Sequence, residues 1–104
     1  MSDRDPQSEL TRYALRSIGE ARKANPNHPS LREAILDGAS LPHYDLSAFD
    51  LRFASLIGCD LRGATLPQST TGDQAPDLSG AHRFLNDQPI KGWRNVGGRL
   101  VRDE

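Results

Sequence analysis

The chain has 104 residues, 13 basic against 14 acidic side chains, 36% hydrophobic and 6% aromatic content, and a formal net charge of −1, which describes one small domain with room for a single core. No apolar run reaches ten residues, so a membrane span is excluded, and the charged stretch Met1–Pro6 leads into no signal-peptide core; the expectation is a cytoplasmic protein. Cys59 is the single cysteine, which excludes an internal disulfide framework and a cysteine-based zinc site.

In chain order, Leu10, Tyr13, Ala14, Ser17, Ile18 and Ala21 fall at helical spacing, predicting an amphipathic helix over 6–24 with Asp5 and Pro6 at its start. Asn25–Pro29 ends it. Ser30 and Glu33 stand at the separation of a capping box, predicting a second short helix that runs until Gly38. Residues 34–38 also fit the periodic segment that follows, as its first unit, and both readings are open.

That segment is set by leucine at 36, 41, 46, 51, 56, 61 and 66. A period of five fits neither the 3.6 of a helix nor the 2.0 of a strand, so the chain must turn a corner once per unit. Around each leucine the columns are consistent. The residue two before it is mostly small (Ala34, Ala39, Ala54, Cys59, Ala64), the residue just before is mostly short and polar, and the residue two after is often Gly38, Gly58 or Gly63. Tyr44 and Phe49 are rings in the small column, and are expected to pack against the flanking segments.

These columns resemble the pentapeptide-repeat family. The resemblance implies a mainly β protein, a right-handed quadrilateral β-solenoid in which four units make one coil and the leucine and small residue point inward. Leu36 then stacks on Leu56, Leu41 on Leu61 and Leu46 on Leu66. Seven units give one and three-quarter coils, a stub far shorter than the family's rod-like members that imitate duplex DNA and shield gyrase.

Residues 69–75 read as a loop, and Pro76-Asp77-Leu78-Ser79-Gly80 as one more unit, after which Arg83 stands where leucine belongs and the periodicity stops. Trp93, Val96, Leu100 and Val101 around Gly97-Gly98 predict a hairpin with a two-glycine turn, placed to cap one end of the coil as the N-terminal helix caps the other. The expected organisation is therefore a single domain, 1–104: a helical segment 6–38, a repeat core 39–68, a loop 69–75 and a C-terminal cap 76–104.

Residues 34–80 carry two basic and six acidic groups, while residues 81–104 carry five and three. Asp45, Asp50 and Asp60 occupy the outward column, where they either replace nucleic-acid phosphates in a partner's groove or bond nearby backbone. Because the coils are few, the three acids fall on three different sides. Trp93 and Arg94, with Lys91, Arg99 and Arg102, set an aromatic among cations, a combination that stacks on bases and contacts phosphate; the competing reading makes Trp93 the hairpin's core.

Nothing points to catalysis or to a cofactor. His28, His43 and His82 share no metal spacing, and Cys59 falls on an inward position where a thiol behaves as a hydrophobe. The expectation is a non-enzymatic inhibitor that docks on a nucleic-acid-handling enzyme or complex, with Asp45, Asp50, Asp60, Trp93 and Arg94 as partner-binding residues. Family analogy points to gyrase, small size to a bacterial defence complex countered by a phage protein. The alternatives are a self-assembly module or homodimer joined through the coil ends, and a direct nucleic-acid binder working through the tail.

Overall fold

The computed structural model describes residues 6–67 and 71–103. The predicted helix start at Asp5 and the segment 68–70, with Gln68 of the last unit and the beginning of the loop, lie outside the described residues. The helix α1 runs Pro6–Ala24 and the antiparallel strands β1 (Trp93–Val96) and β2 (Arg99–Arg102) close the chain.

Between them the backbone meets itself at a fixed offset. Parallel bridges join Ser30 to Asp50, Ile35 to Ser55, Ser40 to Asp60 and Asp45 to Thr65, each pair twenty residues apart in sequence and each bridge five residues after the last. These four bridged sides are walls 1 to 4. The hydrogen bonds alternate as a parallel ladder requires: the Leu36 N–H donates to Ser55 O at 2.8 Å, and the Ser55 N–H donates back to Ala34 O at 2.8 Å. Wall 2 continues to a third layer at Asp77, and wall 3 to a third at His82 and a fourth at Arg99. The third layer is offset by 22 residues, so the 69–75 segment inserts two. The structure is thus taller on these walls than one and three-quarter coils.

Each corner is one turn. Ala34, Ala39, Ala54, Cys59 and Ala64 donate their N–H to the carbonyl of the leucine three residues earlier, at 3.0–3.2 Å. The residue two after leucine takes positive φ, as the third residue of a type II turn must, at Gly38, Gly58 and Gly63 but also at Glu33 (63°), His43 (64°) and Phe53 (61°). The small column follows from the interior: Ala39, Leu41, Leu46, Leu56, Cys59 and Leu61 are fully buried together. Phe49 is buried as well, beneath the Arg22 guanidinium of α1 at 5.3 Å, and Tyr44 is half-buried against the same core. Phe49 thus packs against a flanking segment, as expected, while Tyr44 packs against the repeat core.

The second helix does not form. Ser30 pairs with Asp50, Glu33 adopts a left-handed φ, and its N–H donates to Arg52 O at 3.0 Å. Leu31 is buried at 4% exposure, so the leucine period begins one unit earlier than 36 and the capping-box spacing is coincidental. Residues 25–38 therefore leave the helical segment, and 34–38 is a repeat unit.

The helix α1 buries a narrower stripe than its sequence face. Ala14 and Ile18 enter the core, while Leu10 and Tyr13 are exposed, because α1 lies against a coil edge rather than a broad sheet. The Ser40 N–H, on that edge, donates to Thr11 Oγ1 at 2.9 Å. At the other end, β2 joins the third layer: Gly80 N–H donates to Leu100 O and Leu100 N–H to Ala81 O, both at 2.9 Å. The β1–β2 register pairs Trp93 with Arg102, Arg94 with Val101, Asn95 with Leu100 and Val96 with Arg99. Gly97 and Gly98 both hold positive φ, the requirement of a two-residue hairpin turn of this hand.

The periodicity does not stop at Arg83. His82 stays in the ladder above Asp60, and Arg83 takes the interior place of a leucine. Its Nη1 donates to Leu61 O and Ala64 O at 2.7 Å, its Nη2 to Gln88 O at 3.2 Å, and its Nε lies 3.6 Å from Asp87 Oδ2. Burial lowers the Arg83 pKa, opposed by the Asp87 charge. The guanidinium ties the carbonyls of Leu61, Ala64 and Gln88 together at the upper end of the coil.

Candidate interaction surface

Because leucine points inward, the residues on either side of it both face out. An aspartate just before leucine therefore meets the N–H just after it. Asp45 Oδ1 accepts from Ser47 N–H at 3.0 Å, Asp50 from Arg52 N–H at 3.1 Å, Asp60 from Arg62 N–H at 3.2 Å and Asp77 from Ser79 N–H at 3.0 Å. The same carboxylates also bind the side chain two residues on. Ser47 Oγ donates to Asp45 at 2.6 Å, and this hydroxyl bond, with the backbone bond, lowers the Asp45 pKa.

Arg52 donates Nε and Nη2 to Asp50 at 2.9 and 2.7 Å, and Arg62 does the same to Asp60 at 2.8 and 2.7 Å. These forked bonds hold the Asp50 carboxyl down to about 2 and lower that of Asp60. Asp50, Asp60 and Asp45 sit on walls 1, 3 and 4. The structure does not gather them, and two of the three carry their own countercharge. Asp50 and Asp60 are thus held in pairs, and of the three only Asp45 is exposed.

Trp93 and Arg94 part company as well. The Trp93 ring is buried at 6% exposure, with the Arg102 guanidinium 4.9 Å from its centroid, whereas Arg94 points to the opposite face, 3.6 Å from Asp103. Trp93 is the hairpin's core, and the expected stacking platform on nucleic acid is not present at this ring.

The sequence reading passed over the exposed apolar side chains of wall 2. Ile35 is 66% exposed, Ile57 43% and Phe53, at the wall's corner, 45%. Ile35 bridges Ser55, which lies between Phe53 and Ile57 in sequence, so the three surround one serine. Phe53 holds positive φ, a costly conformation for a bulky residue, while Arg32 covers its ring at 5.7 Å. The signal was legible: Ile35 and Ile57 are the aliphatic residues in columns that elsewhere hold mostly polar ones.

Cys59 donates its thiol to Leu36 O at 2.9 Å, and burial pushes its pKa up to about 11. It is a packed interior group, as expected. Among the described residues, no helix is long and apolar enough to cross a membrane.

Stacked five-residue units with a leucine interior define a repeat protein. The sequence profile of Pentapeptide repeats matches residues 30–68 in eight copies, so those residues are pentapeptide repeats. The first copy is the Leu31 unit that the capping-box reading had assigned to a helix. The family implies a β-solenoid and, in general terms, interaction with other proteins. No curated protein and no solved structure matches the chain.

Proposed function

We propose that this chain is a non-enzymatic docking protein that engages another protein through wall 2. The repeats are taken as a right-handed four-sided solenoid within a single domain, with α1 and the β1–β2 hairpin as its two caps. Supporting this, Ala14 and Ile18 share a buried cluster with Leu36 and Leu46, and β2 bonds to the third layer. Such a ladder holds outward side chains at fixed spacing, so little conformational entropy is lost when a partner docks.

The single observation that carries the proposal is the trio Ile35, Phe53 and Ile57, exposed on a wall whose other outward residues are polar. A phenylalanine at positive φ adds strain and keeps much of its apolar area in water, so its presence is better matched to binding than to folding. Inhibition of a nucleic-acid-handling enzyme is the narrower form of this reading, supported by the acidity of residues 34–80 and not by the paired Asp50 and Asp60.

Affinity capture from cells that carry the gene tests it, comparing wild type with Ile35→Lys/Ile57→Lys and with Asp45→Lys/Asp50→Lys/Asp60→Lys. A captured protein, whether a further copy of the chain or a different one, is expected to disappear with the isoleucine variant and persist with the aspartate one. Equal capture by the isoleucine variant refutes the proposal.

A further inference from the structure

Wall 2 alternates two chemistries. Ile35 and Ile57 are its exposed aliphatics, and Asp37 and Asp77 its carboxylates. Asp37 accepts from Ser55 Oγ and from the Ile57 N–H, which fixes it beside Ile57. Glu33, at the corner, adds a further negative charge; Arg32 stacks on Phe53, and Arg102, on the inner face of the hairpin, is the cation that acts on Asp77.

The hairpin offers the complement. With Trp93 and Leu100 turned inward, strand alternation turns Arg94, Val96, Arg99 and Val101 outward. The register sets Arg94 opposite Val101 and Val96 opposite Arg99, a checkerboard of two cations and two valines, the valines 53% and 43% exposed. The contact of Arg94 with Asp103, at 3.6 Å between two exposed groups, holds it only weakly. Both surfaces are β-structured, both present two exposed aliphatics, and their charges are opposite.

We propose that the occupant of wall 2 is a second copy of this chain, docking through the outer face of its β1–β2 hairpin. This rests on the reading of wall 2 as a docking surface and names its partner. The hairpin continues wall 3, through His82 and Arg99, so donor and acceptor surfaces lie on different sides of one molecule. The contact is therefore head-to-tail, and repeating it gives a ring or an open chain of copies. Its ionic component weakens with salt, and Asp45, Asp50 and Asp60 take no part.

The test is sedimentation velocity of the full chain over a concentration series at low and high salt, with a wall variant (Ile35→Lys/Ile57→Lys) and a hairpin variant (Arg94→Glu/Arg99→Glu). Wild type is expected to form species larger than a monomer, fewer at high salt, and each variant alone to be monomeric. Mixed in equal amounts, the variants are expected to form one-to-one dimers and nothing larger, since one keeps an intact hairpin and the other an intact wall.

Wild type that stays monomeric overturns the second copy as occupant, while wall-dependent capture of a different protein still supports the docking reading. A hairpin variant that self-associates points to wall-on-wall contact, and a wall variant that does so to hairpin-on-hairpin contact; either overturns the proposal. So does a mixture that stays monomeric with both variants folded by circular dichroism. Should a charge variant unfold, Ile35→Ser/Ile57→Ser and Arg94→Gln/Arg99→Gln replace the pairs with the same expected outcomes.

Discussion

Leu56→Ala probes the interior at its most constrained point. Leu56 is fully buried, its N–H donates to Asp77 O at 2.8 Å, and its wall is paired on both sides, with Ile35 and Asp77 both bridged to Ser55. Removing three carbons forfeits about 2.4 kcal/mol of transfer free energy at roughly 0.8 kcal/mol per methylene. Because ladders fix the backbone above and below, the walls cannot close on the space, and the cavity adds to the loss. The sum falls at about 3–4 kcal/mol, within the roughly 2–5 seen for buried leucine truncations. A domain of this size has about 5–15 kcal/mol in total, so between about a fifth and four-fifths of its stability is at stake. Urea unfolding followed by circular dichroism at 25 °C reads the change. Leu85→Ala, at 77% exposure, is the control and is expected to shift stability by no more than about 0.5 kcal/mol. A loss below about 1 kcal/mol at Leu56 refutes the packed interior.

Three further outcomes follow from the same geometry. The Asp50 carboxyl is held at about 2 in the folded chain, below its unfolded value near roughly 3.9, so its stabilising share is complete above pH 4 and is lost as pH falls through about 2; the urea midpoint is expected to drop less steeply over that window in Asp50→Asn than in wild type. Gly63→Ala should destabilise more than Gly58→Ala: both hold positive φ, but a methyl at 63 meets the His43 ring while one at 58 meets nothing, and His43→Ala should bring the two changes level in thermal unfolding. Trp93→Ala is expected to melt the hairpin, seen as loss of amide protection at Leu100, with no change in binding to labelled single-stranded DNA, because the buried ring contributes no base-stacking surface.

The sequence carried the core well because its constraint is uniform. Each interior slot must be filled by one medium-sized aliphatic, so leucine recurs and the period announces both corner and interior. Where a local motif imitates another element the reading failed. Ser30 and Glu33 satisfy a capping box, yet Leu31 belongs to the ladder, and only the strand at Asp50, twenty residues on, decides between them. Arg83 misled for the opposite reason, since a guanidinium in a leucine slot is acceptable only if carbonyls are waiting, and those of Leu61, Ala64 and Gln88 come from elsewhere in the chain.

The pairing of Asp50 with Arg52 and of Asp60 with Arg62 was within reach, because residues flanking an inward leucine face the same side. The separation of Trp93 from Arg94 was equally so, from strand alternation alone. Exposure of Ile35, Phe53 and Ile57 on a single wall required the offset between coils as well as the period. The two-residue shift was legible in the seven-residue spacer before the Leu78 unit, whereas closure of the upper layers by Arg83 and β2 is a long-range property with no local mark.

Scalar couplings across hydrogen bonds test the central claim most directly, because they identify donor and acceptor of each bond in solution. Couplings are expected from the amides of Leu36, Leu41 and Leu46 to the carbonyls of Ser55, Asp60 and Thr65, each nineteen residues ahead in sequence. Couplings from these amides to carbonyls four residues earlier, the pattern of a helix, would contradict it.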